Sequence, residues 1–184
     1  MLRPVLYKPS LLVEKDSSQL AAQFDRLQEL ARNALGEIQV LASQLRTRSL
    51  AEEGLAAALH RLADERHRRD GLLIRLEVSG RSREKGLSEP VVTGLYRIAQ
   101  EALNNVAKYA RATQVSVNLR LSPDSARLMV IDDGVGFDPA AIPPNHLGLR
   151  IMRERAEAIG ARLNIYSEPG EGTQVTVVWQ KSPD

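Results

Sequence analysis

The segment 88–110 narrows the possible folds most, because it predicts a helix with an apolar and a polar face side by side. At about 100° per residue, six apolar positions fall on one face that has to be buried. They are Leu95, Ile98, Ala99, Ala102, Val106 and Ala110. Ser88 can cap this helix, and Pro90 fits its first turn. A chain with such a helix needs a second layer against which the apolar face can pack.

The polar side of this helix carries three chemically different groups. Glu101, Asn105 and Lys108 fall within an arc of about 60° beside the apolar face. An amide oxygen suits a magnesium ion that keeps most of its waters, an ammonium can balance phosphate charge, and a carboxylate can orient or deprotonate a nucleophile. The alternative is a solvated face with an incidental ion pair. Tyr109 is predicted to point to the apolar side and pack there.

Three glycine-bearing segments follow the helix. Asp132 ends an apolar strand and leads into Gly134 and Gly136. Its carboxylate can accept a hydrogen bond from an exocyclic amine of a ligand. The alternative is that the segment is only a turn, with Asp133 solvated. Gly148 starts a helix after a long loop, where free N–H groups can bind phosphate, or it is plain helix entry. Gly-Glu-Gly-Thr at 170–173 is either a hairpin turn or space for a base beside a hydroxyl donor.

The fold class follows from the order of the elements. Alternating patterns predict strands over 72–78, 115–121, 127–132, 163–166 and 174–179. The second and third of these should form a hairpin around Ser122-Pro-Asp-Ser125. Helices are predicted over 53–69, 88–110 and 148–159, the last ending at Gly160. Helices separated from hairpins indicate an α+β sandwich of a sheet and a helical layer.

The first third of the chain has a different pattern. Residues 1–16 are irregular, because two prolines interrupt them. Between 17 and 46, apolar residues recur in steps of four and three, which predicts one long helix with the seam of a coiled coil. Such a seam favours self-association into a bundle, and the alternative is packing on its own domain. The predicted domains are therefore an irregular tail over 1–16, the long helix over 17–50 and a globular domain over 51–184.

Composition excludes several classes of site. The net charge is +2, from 25 basic and 23 acidic residues, so no strong field argues for nucleic acid. Cysteine is absent, which excludes disulfides and thiolate metal sites and is consistent with a reducing, cytoplasmic setting. No apolar run approaches the roughly 18 residues of a membrane helix. We expect no membrane contact by this chain, although a parent protein could be membrane-anchored.

Taken together and in this order, the segments resemble the ATP-binding catalytic domain of sensor histidine kinases, in the superfamily shared with gyrase, heat-shock chaperones and mismatch-repair ATPases. YRIAQEALNNVAKYA resembles the asparagine box of that family, DDGVGFD and HLGLRIMRERA its first two glycine boxes, and EPGEGTQVTV its last. The branch it is most similar to pairs with response regulators that carry a helix-turn-helix output domain. The resemblance implies a Bergerat-type fold of a mixed five-stranded sheet and three helices, and the cofactors ATP and Mg²⁺.

The resemblance also implies roles for single residues. Asn105 matches the magnesium ligand, Glu101 the acidic residue one turn before it, and Lys108 the phosphate-contacting lysine. The positions implied to bind the rest of the nucleotide are Asp132, which would read adenine, Gly134 and Gly136 beneath the base, Gly148 and Leu149 at the triphosphate, and Thr173 at the base. Residues 138–147 resemble the mobile lid over ATP. His146-Leu-Gly departs from the Gly-x-Gly that many relatives have at the hinge of the lid.

The phosphate acceptor of this family is a histidine followed by an acidic residue on the first of two dimerisation helices. His60, His67 and His146 have neither that motif nor that place. Residues 17–46 resemble the second dimerisation helix, so the acceptor is expected upstream of Met1, in a chain that is a fragment or a natural form without its acceptor. The implied partners are the dimerisation helices of an intact kinase, a response regulator, and a second copy bound through 17–46.

The implied function is transfer of the γ-phosphoryl group of Mg-ATP to a histidine absent from this chain, which should bind ATP without phosphorylating itself. One alternative is an ATP-hydrolysing enzyme of the same superfamily, in which Glu101 would activate water. Another is a binding module, either an anti-sigma-like switch protein or a dimerisation piece that has lost catalysis.

Overall fold

The computed structural model describes residues 50, 53–80, 86–139, 141 and 147–181. They belong to one compact unit, Thr47–Asp184. The helices and strands are, in chain order, α1 (Leu55–Asp70), β1 (Leu73–Ser79), α2 (Glu89–Asn105), β2 (Gln114–Ser122), β3 (Ser125–Asp132), α3 (Leu147–Ala158), β4 (Arg162–Ser167) and β5 (Thr173–Gln180). The described residues thus contain the five strands and three α-helices that the sequence predicts.

The five strands form one mixed sheet in the order β1-β2-β3-β5-β4. β1 runs parallel to β2, and every other neighbouring pair is antiparallel. The predicted hairpin of β2 and β3 is confirmed, with Ser122 paired to Ser125 across the turn. At the other end of β3, Asp132 pairs with Val115 of β2 and Thr173 of β5. This register places the end of β3 beside the start of β5.

The helices form a second layer on the sheet. α1 packs against β1, α2 against β3 and β5, and α3 against β4, while α2 also contacts both other helices. Alternate residues of β2 and β3 are buried, as expected for a sheet with one covered face. All six residues of the apolar face predicted for the helix of 88–110 are buried. The α+β two-layer sandwich is therefore confirmed.

The ends of the helices follow from local chemistry, with one exception. Gly71 and Gly160 stop α1 and α3 in the left-handed region, at φ of 71° and 66°. Ser88 occupies the N-cap position of α2 with an extended backbone, but its side chain makes no capping hydrogen bond. The prediction that the helix of 88–110 is α-helical to its end is wrong, because Val106–Ala110 form a π-helical turn.

Several predictions fall on other parts of the chain. The irregular tail over 1–16 and the heptad-patterned helix over 17–46 lie outside the described residues, as do most of the loop after β1 and the centre of the predicted lid with His146. Among the helices that are described, none combines the length and the apolar character needed to cross a bilayer.

Candidate functional site

A cavity of about 250 Å³ lies between α2, α3 and the inward face of the sheet. Its wall is largely apolar, formed by Ala102, Val106, Ala110, Val130, Phe137, Leu149, Met152, Ile165 and Val175. The remaining lining residues are Asn105, Tyr109, Asp132, Gly136 and Thr173. An apolar cavity with a few polar groups is the usual form of a small-molecule site. Of the predicted site residues, the structure therefore brings Asn105, Asp132, Gly136, Leu149 and Thr173 into one cavity wall.

Asp132 is the buried carboxylate of this cavity, with 6% of the residue exposed. Its Oδ1 accepts a hydrogen bond of 2.9 Å from the N–H of Gly134. Burial raises the pKa of Asp132, although hydrogen bonds from the backbone N–H groups of Gly134 and Thr173 act in the opposite direction. A carboxylate that is short of water and lines an apolar cavity favours a ligand that donates a hydrogen bond to it.

Ser167 is a buried polar residue that the sequence analysis missed. It lies in a row across the sheet with Thr173 and Asp132. It ends β4, pairs with Thr173 and is 3% exposed. Its hydroxyl accepts a hydrogen bond from the N–H of Phe137 at 2.9 Å and donates one to the carbonyl of Gly172 at 2.8 Å. Ser167 thus fixes Phe137 of the cavity wall to the loop before β5. The signal was its inward parity in β4, but the predicted strand ended one residue earlier.

The glycines bring three backbone segments together at the floor of the site. A Cβ on Gly134 would lie 2.3 Å from the carbonyl oxygen of Ala110, and the next residue, Val135, donates to that oxygen at 2.7 Å. Gly136 has φ of 57°, and a Cβ there would lie 1.9 Å from the carbonyl oxygen of Glu168. These glycines are required because side chains would separate the loop after β3 from its neighbours.

Glu101 and Asn105 converge on the start of α3. A Cβ added to Gly148 would lie 2.7 Å from Oε1 of Glu101 and 3.1 Å from Oδ1 of Asn105. A side chain at position 148 would displace the end of Glu101, so the glycine lets the first turn of α3 lie close to both groups. Free N–H groups at a helix start attract anions. The structure therefore places a carboxylate, an amide and a helix start at one edge of the cavity.

Lys108 and Tyr109 lie on the π-helical turn after Asn105. Lys108 is exposed and is not part of the cavity wall. Tyr109 lines the cavity and is 59% exposed. The prediction that Tyr109 packs on the apolar side of the helix is therefore wrong.

Two charged residues, Asp133 and Arg155, lie near the cavity without lining it. Asp133 is exposed, but its carboxylate accepts hydrogen bonds from the N–H groups of Thr113 and Gln114 at 2.8 and 2.9 Å. The N–H of Gln114 and the hydroxyl of Thr113 lower the pKa of Asp133. Burial lowers the pKa of Arg155, and the charge of Glu101 opposes that shift. Asp133 therefore anchors the loop after β3 to the start of β2, and its prediction as a solvated neighbour is incomplete.

The fold and the cavity define a nucleotide-binding domain: an apolar slot suits a planar base, and the polar edge at α3 suits phosphate. Residues 91–183 match the family described as histidine kinase-, DNA gyrase B-, and HSP90-like ATPase. The chain belongs to this family. Because it is a family of ATPases, the nucleotide that the domain binds is ATP.

The curated relatives that the chain matches are named histidine kinases. The chain is 33% identical over 173 residues to an uncharacterized sensor-like histidine kinase of Chloroflexus aurantiacus, covering 90% of this chain and 29% of that protein. It is 34% identical over 151 residues to the sensor histidine kinase LiaS of Bacillus subtilis, covering 82% of this chain and 41% of that protein. The chain thus spans well under half of these curated relatives.

The fold is shared with a solved kinase domain. The histidine kinase domain of the Erythrobacter litoralis EL346 blue-light activated histidine kinase superposes with a TM-score of 0.59 at 23% identity. The match covers 76% of this chain and 74% of that one. At this level of identity the likeness shows the fold alone.

Proposed function

We propose that this chain is the ATP-binding catalytic domain of a two-component sensor histidine kinase, which transfers the γ-phosphoryl group of Mg-ATP to a histidine outside the chain. The observation that carries the proposal is the close approach of Glu101 and Asn105 to Gly148, at the edge of a cavity that contains the buried Asp132. The base of ATP would then lie in the cavity, and its phosphates would lie at the adjoining edge beside Glu101 and Asn105. The names of the relatives add support, and no observation favours the hydrolysing or purely binding alternatives.

The cavity wall would hold the adenosine end of ATP. The adenine amino group would donate to the carboxylate of Asp132, and Thr173 would contact the base from β5. Gly134 and Gly136 would support the base through the loop after β3, since both approach neighbouring backbone too closely for a side chain. Leu149 lines the cavity next to Gly148. The start of α3 would therefore lie along the nucleotide, beside its triphosphate.

The phosphate end would lie at Glu101, Asn105 and Lys108. Mg²⁺ fits here, because the amide of Asn105 is a neutral oxygen ligand, and magnesium usually takes few protein ligands beside phosphate oxygens and water. Bound there, the ion would neutralise charge on the triphosphate. Lys108 is exposed on the π-helical turn, where its ammonium would meet phosphate oxygens from the solvent side.

Glu101 would act on the acceptor histidine. The imidazole nitrogen forms a bond to the γ-phosphorus, the bond from that phosphorus to the β,γ-bridging oxygen breaks, and ADP leaves. Glu101 accepts the proton of the attacking imidazole, and its place one helical turn before Asn105 suits that task. Positioning and charge neutralisation would supply most of the rate enhancement.

The partners follow from the same proposal. The acceptor would be presented by dimerisation helices of the intact kinase, residues 17–46 would contribute the second helix and mediate a homodimer, and a response regulator would receive the phosphoryl group. A cytoplasmic location fits these partners. The domain boundaries at 16/17 and 50/51 remain predictions.

Calorimetric titration of ATP, with and without Mg²⁺, tests the site. Asn105→Ala should abolish most of the gain in affinity that magnesium gives the wild-type chain, because the ion loses its protein ligand. Asn164→Ala is the matched control, since Asn164 is exposed on β4 away from the cavity. Equal magnesium dependence in wild type and Asn105→Ala would refute the assignment of Asn105.

Incubation of the chain with ATP labelled at the γ-phosphate tests the location of the acceptor. We expect no acid-labile phosphohistidine on this chain, because His60 and His67 both lie on α1 rather than on a dimerisation helix. Labelling of the chain by itself would show that the acceptor is within it.

A further inference from the structure

Arg66 is a buried arginine on the face of α1 that meets α2. Only 5% of the residue is exposed. One guanidinium nitrogen, Nη1, donates to Asp70 at 3.1 Å, and the other, Nη2, donates to the amide oxygen of Asn104. Its Nε has no hydrogen-bond partner among the described residues. Arginine is rarely buried to this extent without paired groups, so its two contacts decide how it is held.

Asn104 receives its orientation from this arginine. Because Oδ1 accepts from Arg66, the amide nitrogen has to point the other way. There Nδ2 donates to Oε2 of Glu101, at 3.3 Å, across one turn of α2. An asparagine that binds a donor on one side and a carboxylate on the other has only one amide orientation that satisfies both.

Glu101 is thereby held by one oxygen, and no described residue donates a hydrogen bond to the other. Oε2 takes the hydrogen bond from Asn104, whereas Oε1 is the oxygen that approaches Gly148. Rotation of the carboxylate would break the contact with Asn104. The oxygen at the phosphate edge of the cavity is therefore presented by a chain of hydrogen bonds that begins on a different helix.

We propose that Arg66 and Asn104 are positioning residues for Glu101: the guanidinium sets the amide of Asn104, and the amide aims the carboxylate at the phosphate edge. This rests on the proposed role of Glu101 as the proton acceptor. Since Arg66 belongs to α1, a shift of α1 along α2 would change the orientation of Glu101. Neither residue needs to touch ATP or the acceptor histidine.

Asn104→Asp tests the proposal, because it changes one end of the contact and keeps the other. A carboxylate still accepts from Arg66, and this charge-assisted contact is at least as strong as the original one. The other oxygen, however, now faces Glu101 and repels it. In the full kinase that contains this chain, we expect single-turnover phosphohistidine formation to fall about tenfold or more, a part of what a general base contributes.

Two further measurements, ATP affinity and transfer in a second background, distinguish a positioning role of Asn104 from a structural one. The dissociation constant for ATP should stay within about twofold of the wild-type value, since the cavity wall is unchanged. Asn164→Asp makes the same chemical change on the exposed side of β4 and should leave transfer unchanged. In a Glu101→Gln background, Asn104→Asp should change transfer by less than about twofold, because the two residues act as one unit.

A transfer rate for Asn104→Asp within about twofold of wild type would overturn the proposal, as would an equal loss in both backgrounds. If Glu101→Gln leaves transfer intact, the base role itself fails and the positioning role with it. Loss of ATP binding by the wild-type chain would instead refute the proposed function.

Should Asn104→Asp unfold, Arg66→Met is the second variant, and Asp70 then still pairs with Arg69 at 2.9 Å. The same criteria for transfer and ATP affinity apply to it.

Discussion

Replacement of Asp132 by asparagine should separate ligand binding from fold stability. Asp132→Asn keeps the size of the side chain and its acceptor oxygen, so the N–H groups of Gly134 and Thr173 can still be satisfied. It replaces the second carboxylate oxygen with an NH₂ group. In the proposed complex that group faces the amino group of adenine, and two donors then meet where a donor met an acceptor.

The size of the effect on binding follows from two contributions. The hydrogen bond to a charged acceptor contributes about 1.5–3 kcal/mol, and leaving buried donors unpaired costs about 1–3 kcal/mol. Together they come to about 3 kcal/mol or more, which corresponds to an increase in the dissociation constant for ATP of about 100-fold or more. An exposed aspartate could not change ATP affinity by this much, because water would replace the lost contact. Asp132 is buried, with only 6% of the residue exposed.

The effect on stability should have the opposite sign. Burial raises the pKa of Asp132 above its ordinary value of 3.8. A carboxyl group with a raised folded-state pKa stabilises the fold below its unfolded pKa, and this contribution is lost as the pH rises through the folded pKa. Asparagine does not titrate, so Asp132→Asn does not lose stability in this way as the pH rises. Without nucleotide, the variant should therefore unfold at the same temperature as wild type or higher at neutral pH, with the difference shrinking towards acid pH.

The assay is thermal unfolding with and without ATP, combined with calorimetric titration. Asp124→Asn is the matched control, because Asp124 lies exposed in the turn between β2 and β3. ATP should raise the unfolding temperature of wild type and of the control, but not of Asp132→Asn. Binding by Asp132→Asn within about threefold of wild type would show that this carboxylate does not read the base. A lower unfolding temperature without nucleotide would show that its role is structural.

Two other substitutions test the floor of the site. Gly134→Ala should destabilise the chain by about 1–3 kcal/mol in chemical denaturation, because the added methyl meets the backbone of Ala110, whereas Gly86→Ala, with its nearest atom at 3.7 Å, should change little. Asp133→Ala should lower stability at neutral pH and have no effect at acid pH. The depressed pKa of Asp133 means that its contribution is present above the ordinary value of 3.8 and disappears as the pH falls. A pH-independent difference would contradict this linkage.

The polar residues of the cavity wall were predictable where they lie beside glycines at the ends of strands. Asp132 was identified at the end of an apolar strand before Gly134 and Gly136, and Thr173 directly after Gly172. Ser167 has no glycine beside it, and the predicted strand of 163–166 ended one residue before it. Phe137 could not be found, since it lies in a loop whose path depends on Gly136 meeting the carbonyl of Glu168. Loop contacts of this kind have no periodic signal.

The π-helical turn Val106–Ala110 shows why the positions of Lys108 and Tyr109 could not be predicted from α-helical periodicity. Extrapolation at α-helical spacing puts Lys108 beside Asn105 and Tyr109 on the apolar side. A π-helical turn bonds residue i to i+5, so each residue after Asn105 lags behind its α-helical position. Tyr109 therefore lines the cavity and is largely exposed instead of packing in the apolar face, and Lys108 lies in solvent beside it. Nothing in the composition of Val-Ala-Lys-Tyr-Ala signals this turn. It is stabilised by a tertiary contact, because the carbonyl of Ala110 that ends it accepts the N–H of Val135 at 2.7 Å. The loop that follows Asp132 thus also fixes where this helix ends.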